Sequence, residues 1–124
     1  MKFNAELVRE ILIKIEDDEF SNRDYIPLDG HTEDQVRYHL VLLRNAGYID
    51  AGQSLMRSGD THDSFRVLGL TLDGHRFAES IREPDKWEQV KQAFIKAGKL
   101  SGATIAVEWL RKLAIGEIPL PPLG

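Results

Sequence analysis

Residues 32–50, TEDQVRYHLVLLRNAGYID, constrain the fold more than any other stretch, because one helix start, one helix stop and one strand start fall there in immediate succession. Thr32 is a natural N-cap, its hydroxyl able to accept a backbone N–H of the first turn, and Glu33 and Asp34 put negative charge where the helix dipole favours it. Val36, Leu40 and Leu43 recur at steps of four and three, and Leu42 and Ala46 widen the stripe into one buried face. Gly47 is the expected C′ residue, and Tyr48 and Ile49 begin a β-favouring segment.

The flanks supply what such a helix needs. Asn4 is placed to cap a first helix to about Glu16, with Leu7, Val8, Ile11, Leu12 and Ile15 as its apolar stripe. The acidic run Asp17, Asp18 and Glu19 then sits at the unfavourable end of the dipole and reads as a solvated helix end. Pro27 and Gly30 exclude a long helix from residues 20–31, where Tyr25, Ile26 and Leu28 are expected to form a short strand and at most one short helical turn fits. After Ile49, strands reaching Arg57 and running from Ser64 to Leu70 are expected, joined by the turn-rich SGDTHD with His62 at its tip.

Thr71 caps a further helix whose apolar side is Leu72, Phe77, Ala78 and Ile81, with Gly74 permitting close packing and Pro84 ending it. Helices over about 85–97, stopped at Gly98, and 101–115 follow, and prolines keep residues 116–124 extended. The whole predicts an α+β fold in a single domain: a winged helix-turn-helix with a β-hairpin wing and two additional C-terminal helices. Residues 1–82 form the winged-helix core, 83–115 the added helices and 116–124 a proline-rich tail. The recognition helix spans about 32–46 and the wing about 49–70.

Composition removes several function classes. The 124 residues contain no cysteine, which excludes disulfides, thiolate catalysis and zinc sites built on Cys. No apolar run approaches the roughly 20 residues that span a bilayer, and the N-terminus mixes charges throughout, so a cytoplasmic protein with no membrane partner is expected. The net charge of −4 argues against coating nucleic acid by bulk electrostatics and shifts the weight to local arginines and lysines. Residues 85–115 form the basic block, at net +3 against −4 for residues 1–31.

Catalytic chemistry finds little support, and neither enzyme activity nor a cofactor or metal site is expected. His31 and His39 are eight residues apart rather than four, no HExxH occurs, and His39 lies beside the apolar stripe, where a packed histidine is expected. The stretch GLTLDGHR has P-loop glycine spacing but His75 and Arg76 where Lys and Ser or Thr are required. A surface suited to double-stranded DNA remains. Gln35, Arg37 and Asn45 are types that make bidentate contacts with base edges, Tyr38 shares their side of the helix, Arg44 suits a phosphate, and Arg57 and Arg66 flank the wing tip. The alternative is a protein-interaction module without DNA binding, favoured by the acidic net charge and by a last helix that is apolar on more than one side. That helix either lies between the winged-helix core and its neighbours or, the favoured expectation, forms a homodimer contact through Val107, Trp109, Leu110 and Leu113.

The run VRYHLVLLRNAGYID, then LGLTLDGHRFAESIR, then DKWEQVKQAF resembles a group of short bacterial and phage-associated proteins of unknown function related to YjcQ-like winged-helix proteins. The resemblance covers nearly the whole chain up to the last helix. It implies a winged-helix fold and a phage or mobile-element context, which fits a small transcription regulator, and it carries no mechanism or site residues with it.

Overall fold

A computed structural model describes residues 2–17, 28–53, 65–96 and 103–120. Within them lie α1 (Ala5–Asp17), α2 (Glu33–Asn45), β1 (Ile49–Gln53), β2 (Phe65–Leu70), α3 (Leu72–Arg82), α4 (Pro84–Lys96) and α5 (Ala103–Ile115), an α+β arrangement of five helices and one antiparallel hairpin. The expected strand residues Tyr25 and Ile26, together with Arg57 and His62, lie outside the described residues.

Local chemistry sets each boundary. Asn4 caps α1, its Oδ1 accepting the Leu7 N–H at 3.1 Å. Thr32 and Gln35 form a reciprocal capping box at α2: Oγ1 of Thr32 accepts the Gln35 N–H at 3.1 Å, and Oε1 of Gln35 accepts the Thr32 N–H at 3.0 Å. At the other end, Gly47 has φ +88° and donates to the Arg44 carbonyl, while the Tyr48 N–H reaches back to the Leu43 carbonyl at 2.9 Å. This is a Schellman stop, and it delivers the chain directly into β1.

The hairpin pairs Ile49 with Leu70 and Asp50 with Gly69, then shifts so that Ala51 faces Val67. Leu68 is the extra residue of the resulting bulge and is exposed, whereas Val67 is fully buried. Gly69, at φ +155°, supplies the backbone that the bulge requires. Thr71 then ties the hairpin to both neighbouring helices, its hydroxyl donating to the Gly47 carbonyl at 2.6 Å and accepting the Gly74 N–H at 3.0 Å. Gly74 has no substitute here, since a Cβ would stand 1.9 Å from the Tyr48 carbonyl oxygen.

Pro84 is the first residue of α4 rather than a spacer after α3, the N1 position where its missing N–H is not needed. Glu83 before it is extended, and its carboxylate accepts the Lys86 N–H at 2.7 Å. Arg9 donates to the Ile81 and Arg82 carbonyls, each at 2.8 Å, and so satisfies the end of α3 from α1.

One core joins every element. The five apolar residues of the α1 stripe meet Val36, Leu40 and Leu43 of α2, Tyr48, Ile49 and Val67 of the hairpin, and Phe77, Ala78 and Ile81 of α3. Trp87, Val90 and Ala93 of α4 and Val107, Leu110, Leu113 and Ala114 of α5 continue it. Val107, Leu110 and Leu113, expected at a dimer contact, lie inside the chain's own core, where α5 packs against α2, α3 and α4 at once. Trp109 is half-buried against the same cluster. Ile118 and Leu120 of the tail also pack on this core, with the Ile118 N–H on the Lys112 carbonyl.

Candidate nucleic-acid interface

Burying Val36, His39, Leu40 and Leu43 leaves the opposite side of α2 outward, and there Asp34 and Asn45 are exposed while Arg37, Tyr38, Val41 and Arg44 are half-buried. Arg37 and Arg44 are seven residues apart and so lie along one flank of this surface. Nη2 of Arg37 contacts Glu33 Oε1 at 3.0 Å, an exposed pair one turn apart. Such a pair contributes only about 0.3–0.5 kcal/mol, so a phosphate can take the guanidinium from the carboxylate at little cost. Arg44 donates to Asn45 Oδ1 through Nε at 3.3 Å and Nη2 at 3.2 Å. Tyr38 sits edge-on to the His39 ring, with centroids 5.2 Å apart.

Gln35 is placed differently from its neighbours. Its carbonyl oxygen closes the capping box, and its side chain lines a cavity between the starts of α1 and α2 and the later part of α4. The free edge that a base contact needs is thus reduced to the amide nitrogen. Arg66 lies in β2 opposite Gly52, and Arg57 is outside the described residues, so the helix supplies the described part of the surface.

Beneath the helix, His39 is 1% exposed and fully bonded. Nε2 accepts the Asn4 backbone N–H at 2.9 Å and Nδ1 donates to the Gln35 carbonyl at 2.7 Å. Burial pushes its pKa below the ordinary value, holding the ring neutral. At the far end of α2, the Tyr48 hydroxyl donates to Glu108 Oε1 at 2.6 Å, and burial together with that carboxylate pushes its pKa well up. Near the ends of α1 and α3, Arg82 bonds Glu16 and Asp17, while His75 reaches the second oxygen of Glu16 at 3.3 Å. These groups brace the elements packed around α2. Among the described residues, no group of three or more His, Asp or Glu side chains is placed to hold a metal ion, and no helix is long and apolar enough to cross a membrane.

Sequence reasoning finds the helix and its outward residues but misses the cavity beside Gln35, because three separate elements create it. It also misses the Arg9 anchor, a contact across more than seventy residues that no local spacing announces.

Comparison with known sequences places the chain. The family described as Hypothetical protein (DUF2513) matches residues 2–100, and the chain belongs to that family. It is 31% identical over 121 residues to an uncharacterized protein of Haemophilus influenzae, covering 95% of this chain and 98% of the relative. No solved structure matches it.

Proposed function

We propose that this member of the DUF2513 family is a winged-helix DNA-binding protein of the transcription-regulatory kind, acting in the cytoplasm, with α2 as recognition helix and the β1–β2 hairpin as wing. One observation supports it above the others: α2 ends in a Schellman stop that enters the hairpin without a spacer, so an outward polar helix face and a wing root are held together rigidly. Helix-turn-helix modules dock in this way, with the helix in the major groove and flanking groups on the backbone. Arg37 and Arg44 take phosphates, and Asn45, with Tyr38 beside it, faces the bases. The resemblance to YjcQ-like winged-helix proteins points the same way.

Titrating the chain with mixed-sequence duplex DNA at low salt tests this directly. Binding that weakens as salt rises supports it, and no binding at low salt removes it.

The second reading is a winged helix that binds a protein. The exposed acidic first turn of α2 favours it, as do Leu68, 41% exposed at the bulge, and Leu72, 67% exposed at the start of α3. Regulators of this geometry read paired half-sites as dimers, and α5 presents Ile105 and Ile115 as exposed apolar positions for such a contact. Light scattering at high protein concentration decides that point, a monomer mass excluding the dimer.

A further inference from the structure

The cavity at the start of α2 is an open cleft with the volume of a small-molecule site and a mixed aromatic and polar lining. Its volume is about 510 Å³, inside the range of about 300–1,000 Å³ that such sites occupy. Phe3 and Phe94 make an aromatic wall, their ring centroids 5.7 Å apart, and Phe3 also stacks on the buried His39 ring. Ile95 adds an apolar rim and is 66% exposed. An aromatic ring laid against these three side chains would remove apolar surface from water while its substituents met the polar part of the lining.

The polar groups on the wall are unequally engaged. Glu6 already accepts the Trp87 indole N–H at 2.9 Å and the Lys91 ammonium at 3.3 Å, and Lys91 also pairs with Glu88. The Lys2 ammonium and the Gln35 amide nitrogen have no hydrogen-bond partner among the described residues. Both are donors, and one is a cation, so an anionic acceptor is the ligand group that complements them.

We propose that this cavity binds a small aromatic carboxylate, its ring against Phe3, Phe94 and Ile95 and its carboxylate accepting from Lys2 and Gln35. The occupied site also touches the first turn of α2, because Gln35 closes the capping box with its other side-chain atom. Ligand held on the Gln35 amide nitrogen opposes opening of that box and slows exchange of the backbone N–H groups of Thr32 and Gln35. The site does not depend on whether α2 meets DNA, and its test contains none.

The probe is benzoate, added to the full isotopically labelled chain and followed by backbone amide shifts, with benzamide and acetate as comparators. Saturable shifts confined to residues 2–6, 35 and 91–95 are expected, with Kd on the order of 1 mM for so small a ligand. Benzamide, which lacks the charge, and acetate, which lacks the ring, bind several-fold more weakly, and Lys2→Ala weakens benzoate about fivefold with an unchanged melting temperature. Scattered or absent shifts, equal binding of benzamide, or a Lys2→Ala chain that holds benzoate as tightly as the parent overturns the proposal.

Discussion

The Asn4 backbone N–H points at Nε2 of His39 across 2.9 Å, so the cap of the first helix is fastened to the middle of α2 by one neutral imidazole. Because the same ring donates from Nδ1 to the Gln35 carbonyl, only the Nδ1–H tautomer satisfies both bonds. A second proton would set an N–H against the N–H of Asn4 inside the core.

Stability should therefore depend on pH through this residue. The folded pKa of His39 lies below its ordinary 6.5, so the unfolded chain takes up the proton first as pH falls. The stabilisation is whole above about pH 6.5 and is lost progressively as pH drops from there through the folded pKa. Denaturant unfolding of the parent and of His39→Gln across that window measures it. The parent should show a slope that the variant lacks, and the variant should be weaker at neutral pH by about 1–3 kcal/mol through its imperfectly replaced bonds. Equal slopes would show that His39 is not the titrating group.

Gly74→Ala should destabilise strongly although it adds one methyl group. That methyl would overlap the Tyr48 carbonyl, which itself accepts the Thr71 N–H, so relief requires moving α3 away from the α2–β1 junction. Overpacking of this kind costs about 1–3 kcal/mol or more. A lowered denaturation midpoint with an unchanged slope is the expected result, and an unchanged midpoint would mean that α3 is not held as closely as the structure has it.

Tyr48 should ionise only well above the ordinary tyrosine range. Burial raises its pKa first, and the Glu108 carboxylate that it bonds adds to the effect. Phenolate absorbance on raising pH should show one group that titrates only as the chain unfolds. Tyr48→Phe should remove that group and cost about 1.5 kcal/mol, the lower end of the range for a bond to a charged acceptor, because Glu108 stays partly in water.

The helices were legible because their signals are local. Thr32, Gly47 and the Val36–Leu40–Leu43 stripe each act within one or two turns, and Asn4 and Thr71 cap as their types predict. Gly74 was recognisable as a close-packing position, though only the fold shows what it packs against. The apolar circumference of α5 suits a surface for a second copy and a helix covered by three others equally well. Composition cannot tell a shared core from a shared interface. The outward residues of α2 were also legible, since the stripe fixes their direction. The partners of Gln35 and Arg37 were less so, because a capping box and an ion pair with Glu33 compete for the same side-chain atoms that a ligand would use.

The salt dependence of duplex binding, compared between the parent chain and Arg37→Ala with Arg44→Ala, bears most directly on α2 as a recognition helix. Affinity should fall linearly with salt on a logarithmic scale, and each substitution should flatten the slope by about 1, with the fold intact by circular dichroism. A folded parent that shows no salt-dependent binding, or a double variant with the parent's slope and affinity, would contradict it.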